Sequence, residues 1–141
     1  MATLESKLIK EDVATLREAY QLRKREYDAL HSAGEWMGAA MHAGMLLELA
    51  LKIAICKNMD AMRLPKAFQV HELEFLLYCS GLEKAFKSNA SLYNNFNRIA
   101  DKWSMDLRYQ GATITKQDSD DFHQALFDTT NGVLTFLTSV L

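Results

Sequence analysis

The residues of this chain whose types could do chemistry are few and scattered. They are His31, His42, His71 and His123, Cys56 and Cys79, and a Glu48–Lys52 pair set inside the most apolar run of the sequence. The histidines and cysteines show no metal-ligand spacing, and there is no glycine-rich phosphate loop. No cofactor and no metal is implied. Glu72 and Glu74 flank Leu73 at the start of a short helix, where carboxylates are ordinary partners of the helix dipole. His42 reads as a core or interface histidine, and Trp36 and Trp103 as packing residues. Both cysteines lie in apolar segments and read as buried free thiols rather than a disulfide.

The charged pair is harder to dismiss. "MHAGMLLELALKIAIC", Met41 to Cys56, is almost continuously apolar, yet Glu48 and Lys52 stand in its middle. Desolvating two such charges is costly unless each finds a partner. Four residues apart with the acid first, they share a helical face, but that pairing supplies only about 0.2–0.5 kcal/mol. Either a narrow solvated stripe runs along the helix, or a polar seam meets groups from other elements at a cleft or subunit interface. His71 and Arg108, each in a loop or at a helix start, are the candidates for those groups. Gly44, on the same strip, and Ala43 lower the side-chain bulk and would let another backbone approach. Arg108 with Tyr109 is also a nucleotide-contact candidate. A guanidinium holds phosphate bidentately and a phenol ring offers a stacking surface. The rival reading is a structural bridge from Arg108 to Glu48.

Helical elements must position these groups. Apolar residues recur at helical spacing and strand-like alternation is absent. A first helix is expected from about residue 8 to residue 30, with Val13, Leu16, Tyr20, Tyr27 and Leu30 on one face and Gly34 as its C-terminal cap. A second runs from Trp36 to Lys57. Pro65 then breaks the chain. "HELEFLLYCSG" forms a short helix closed by Gly81, and a fourth helix, capped by Ser88, Asn89 or Ser91, places Leu92, Phe96, Ile99 and Trp103 on one face. After a second long loop, Thr115 and Asp118 open a last helix in which Phe122, Leu126, Thr129, Val133, Phe136 and Val140 keep heptad spacing. The expected class is all-α, an up-and-down bundle of four long helices plus one or two short ones. Residues 1–141 form a single domain, with 1–7 frayed.

Composition narrows the partners. With 141 residues, 49% hydrophobic, 24% charged and a formal net charge of -2, the chain can bury a core unaided and lacks the basic surplus of a dedicated duplex binder. "RKR", Arg23 to Arg25, is followed directly by Glu26 and Asp28 and reads as a solvated face. The N-terminus is not a signal peptide, and the run from Met41 to Cys56 is too short and too charged for a membrane span. A cytoplasmic protein without membrane association is expected.

The order of these features resembles the HEPN domain (higher eukaryotes and prokaryotes nucleotide-binding). A small-residue helix with Glu48 and Lys52 comes first, then the Pro65 loop, "HEL" at His71, Glu72 and Leu73, "RY" at Arg108 and Tyr109, and a closing amphipathic helix. The resemblance covers residues 10 to 140. It implies a four- or five-helix bundle that commonly dimerises. Relatives stand beside nucleotidyltransferase domains, in toxin–antitoxin pairs and in antiviral defence. Some are metal-independent ribonucleases. Those cleave with an Arg, four to six intervening residues, and a His, because a base must take the 2'-hydroxyl proton and a cation must meet the developing phosphate charge. Here "RYQGATITK" holds no histidine. The formal match Arg25 to His31 falls in the first helix, where the family does not carry the motif, and about half a match is expected by chance over a chain of this length. The expectation is therefore a non-catalytic, homodimeric binding or regulatory module in a nucleotide- or RNA-linked system, with a nucleotidyltransferase-type protein, a nucleotide or RNA as its partner. The apolar faces of the first and last helices would form the dimer interface. The alternatives are a ribonuclease toxin that rebuilds its pair from His71 and Arg108, and a purely structural protein-binding bundle.

Overall fold

A computed structural model describes residues 12–141; the expected frayed segment 1–7 and the first turn of the expected first helix lie outside them. The described chain is all-α, built from α1 (Val13–Ser32), α2 (Trp36–Asn58), α3 (Leu73–Cys79), α4 (Glu83–Lys87), α5 (Ala90–Ala100), α6 (Lys116–Phe127) and α7 (Val133–Val140). Single 3-10 turns interrupt the two long connections at Lys66–Phe68 and Met105–Tyr109.

Local chemistry sets the ends. Asp12 caps α1 by accepting from the Thr15 amide at 2.7 Å. At the other end Gly34 takes φ +76°, a conformation open to glycine, and the chain reverses through amides of Gly34 to the His31 carbonyl (3.2 Å) and Glu35 to the Leu30 carbonyl (3.0 Å). So short a link makes α1 and α2 packed neighbours. Among the three cap candidates for α5, Asn89 does the work, accepting from Leu92 N at 3.2 Å. Thr115 and Asp118 exchange side-chain-to-backbone bonds at 3.1 Å each and start α6.

The core helix is α2. Residues on every side of it are buried, from Ala39 to Cys56, because α1, α3, α6 and α7 all pack on it. One hydrophobic cluster runs from Leu16 of α1 to Leu137 of α7. By length and apolarity α2 could cross a membrane, contrary to the length argument drawn from Met41 to Cys56; what distinguishes it is that 78% of its most apolar window is buried inside the protein.

Three expectations about elements change. The last helix is two helices. Asp128 leaves the helical region, its carboxylate accepts from Thr130 N (3.2 Å) and Asn131 N (2.8 Å), and Gly132 restarts the chain as α7. The heptad spacing survives the break because Phe122, Leu126 and Val133 still face one core. Helix α4 was missed altogether. Trp103 lies beyond α5 instead of on it. Among the described residues the bundle thus has two long helices and five shorter ones.

Candidate functional site: a buried carboxylate bridged by lysine and histidine

Glu48 and Lys52 are both inside the protein, at 8% and 3% exposure, so the solvated stripe is ruled out. Lys52 Nζ stands 3.2 Å from Glu48 Oε2. The other oxygen, Oε1, is met at 2.8 Å by Nδ1 of His71, which the loop after the 3-10 turn delivers two residues ahead of α3. The carboxylate is therefore clamped between a cation of its own helix and an imidazole from a distant segment. To donate to a carboxylate, His71 Nδ1 must carry the proton, which leaves Nε2 as the ring's remaining polar atom.

Gly44, one turn before Glu48, receives a side chain and not a backbone. A Cβ there would fall 2.0 Å from the Trp103 indole, so only glycine lets the ring lie flat on α2. Trp103 Nε1 donates to the Met41 carbonyl at 3.2 Å. The strip Gly44–Glu48–Lys52 is thus a seat for two later segments: Trp103 at its first turn, His71 at its second. Between them opens a cavity of about 410 Å³, lined by His71, Glu72, Glu74, Trp103, Met105 and Asp106. Its ionisable wall residues besides His71 are all carboxylates.

Arg108 does not reach Glu48, and the expected structural bridge is not formed. Its Nη2 donates to the Tyr109 hydroxyl at 2.8 Å, and its guanidinium lies over the Tyr109 ring, 4.7 Å from the centroid. Both residues are exposed, and among the described residues no carboxylate pairs with Arg108. No hydrogen bond or ion pair joins Arg108 to His71 either. The seam that the sequence suggested is half right. The histidine arrives; the arginine faces outward.

The remaining candidates settle into ordinary roles. Arg23 pairs with Glu26 and Lys24 with Asp28 at 2.7 Å, so the "RKR" run is a solvated, internally paired face. Arg25 is exposed and His31 packs inward against His123, separating the formal Arg–His match. His42 bonds the Gly38 carbonyl of its own helix through Nδ1 at 3.0 Å. Cys56 is buried and Cys79 half-buried, and no disulfide joins the two. Among the described residues no group of three His, Cys, Asp or Glu side chains converges as a metal site. One cluster escaped sequence reasoning. Tyr27, His31 and His123 stack between α1 and α6, with Tyr27 OH bonded to His123 Nδ1 at 2.9 Å. The sequence separation of 96 residues conceals it. The nearest sequence signal was that His31 follows Tyr27, and Phe127 follows His123, by one helical turn.

Fold and site together define an all-α bundle whose core helix buries a carboxylate held by lysine and histidine. Comparison with protein-family models, curated proteins and solved structures finds no match.

Proposed function

We propose that this chain is a HEPN-like, non-catalytic binding or regulatory module of a nucleotide- or RNA-linked system, of the toxin–antitoxin or defence type, working in the cytoplasm. The observation that carries the reading is the Arg108–Tyr109 pair. A guanidinium without a carboxylate partner, stacked on an exposed phenol ring, offers both a phosphate clamp and a base platform. The other candidate, His71, is committed to Glu48 and opens on carboxylates that repel phosphate. An Arg–His cleavage pair needs both groups on one phosphate, and these two have different partners.

A second reading keeps a ribonuclease alive on one specific feature: a histidine oriented by a buried carboxylate is a sound general base. Incubation of labelled RNA with the protein in chelator, beside His71→Ala and Arg108→Ala, separates the two. The binding module leaves RNA intact in all three. Cleavage by the unaltered protein that disappears in His71→Ala establishes the enzyme.

The homodimer remains part of this proposal, but not through the faces first expected. Leu16, Tyr27, Phe122, Leu126 and Val133 are spent inside the subunit. Apolar side chains left outside include Phe75 and Tyr78 of α3 and Met62 of the connection between α2 and α3. Sedimentation showing only monomer at high micromolar protein removes the dimer.

A further inference from the structure

The aromatic cluster between α1 and α6 takes no part in the site above, and it packs two titratable imidazoles around a buried phenol. His31 and His123 lie face to face, ring centroids 4.6 Å apart and planes within 12°. Tyr27, fully buried, stacks on both rings and anchors His123 through the 2.9 Å bond between its hydroxyl and Nδ1. Burial holds the Tyr27 phenol protonated, so with a neutral His123 the hydroxyl donates and Nδ1 accepts. Trp36 of α2 closes the cluster with an edge contact to His31, and Phe127 of α6 flanks His123.

Charge around the stack is uneven. Asp120 of α6 places a carboxylate oxygen 3.5 Å from His31 Nε2, a buried atom with no hydrogen bond, so one proton on His31 has a counter-charge waiting. Asp120 is itself 4.0 Å from Lys116. Near His123, Lys24 of α1 adds positive charge while Asp28, bonded to Lys24, and Asp120 oppose it. A second proton, on His123, would face an imidazolium across 4.6 Å and would reverse the bond, Nδ1 donating to the Tyr27 hydroxyl and the buried phenol proton losing its acceptor. Burial, then the neighbouring His31 and Lys24, hold the His123 ring below the ordinary imidazole range.

We propose that the His31–His123 stack is a pH-responsive latch that holds α6 against α1 while it carries at most one proton and releases it on taking up the second. The unfolded chain then binds more protons than the folded one just below neutrality, and stability falls as pH falls through the ordinary histidine value. This inference is independent of the nucleotide-linked reading, since no residue of the latch belongs to that site.

The test is a side-chain NMR titration of the full chain together with urea unfolding over the same pH range. His123 is expected to titrate below the ordinary value of about 6.5, and in His31→Gln, which removes the facing cation, to move upward. The urea midpoint of the unaltered protein is expected to drop between about pH 7.5 and about pH 5.5, and His123→Gln, which keeps an acceptor for Tyr27, to lose roughly half or more of that drop. A His123 midpoint at or above the ordinary value, or one unmoved by His31→Gln, overturns the latch. So does an equal pH slope in His123→Gln. If His123→Gln fails to fold, the His31→Gln titration decides alone.

Discussion

Replacing Lys52 with methionine removes one jaw of the clamp on Glu48 and keeps the aliphatic stem. Glu48 is 8% exposed and Lys52 3%, so the carboxylate left behind cannot recover its hydration. Removing one member of a buried pair costs about 3–5 kcal/mol when the other is left uncompensated, and the His71 bond that stays on Glu48 holds the cost to the lower end of that range. For a chain of this size each kcal/mol moves the melting temperature by roughly 3–5 °C, so Lys52→Met should melt on the order of 10 °C or more below the unaltered protein. His71→Ala should cost far less. Its side chain is more than half exposed, and a bond of about 1.5–3 kcal/mol to a charged group shrinks to about 1 kcal/mol once solvent screens it. Removing both charges, in Glu48→Leu with Lys52→Met, should recover most of the single-variant loss, since apolar replacements of buried pairs are neutral or even stabilising. Calorimetric melting of the four proteins gives the ranking directly. A Lys52→Met protein within a degree or two of the original, or a double variant as unstable as the single, would refute a desolvated pair.

Other perturbations test neighbouring parts. Gly44→Ala puts a methyl 2.0 Å from the Trp103 indole, which must leave its seat; a loss of about 1–3 kcal/mol and red-shifted tryptophan emission should accompany it. The Asp118 carboxyl is held below its ordinary 3.8 by the Thr115 amide and by Lys102. Its contribution is thus present above that value and lost as pH falls through the lower folded one, and Asp118→Asn should flatten the acid limb of the urea midpoint. Burial pushes the Tyr20 phenol up to about 12, so stability should fall as pH rises from the ordinary phenol value towards it, less steeply in Tyr20→Phe.

Much of the fold could be read from local chemistry. The caps at Gly34 and at Thr115–Asp118 and the span of α2 are written in a few adjacent residues, and they hold within a residue or two. The split of the last helix could not be read from periodicity, because a heptad spacing that serves one core looks the same whether or not Asp128 and Gly132 interrupt it. Helix α4, five residues long, is below the length at which an apolar period shows. At the site, the conflict between the charges of Glu48 and Lys52 and their surroundings was visible, but it left a solvated stripe and an outside partner equally open, and burial of both residues decides between them. Which partner came was not legible. His71 and Arg108 are both loop residues, and nothing in their spacing tells that one turns in to Glu48 and the other out onto Tyr109. The His31–His123 stack joins two helices far apart in sequence, and the one-turn spacings of Tyr27 with His31 and of His123 with Phe127 do not tell that the two pairs meet.

Fluorescence anisotropy of a labelled single-stranded oligoribonucleotide, titrated in chelator with the unaltered protein, His71→Ala and Arg108→Ala, bears most directly on the central claim that recognition sits at Arg108 and Tyr109 while His71 serves the architecture. Saturable binding that survives in His71→Ala and weakens about tenfold or more in Arg108→Ala, roughly 1.4 kcal/mol, is the predicted result. Equal binding by the original protein and Arg108→Ala, or loss confined to His71→Ala, would contradict it.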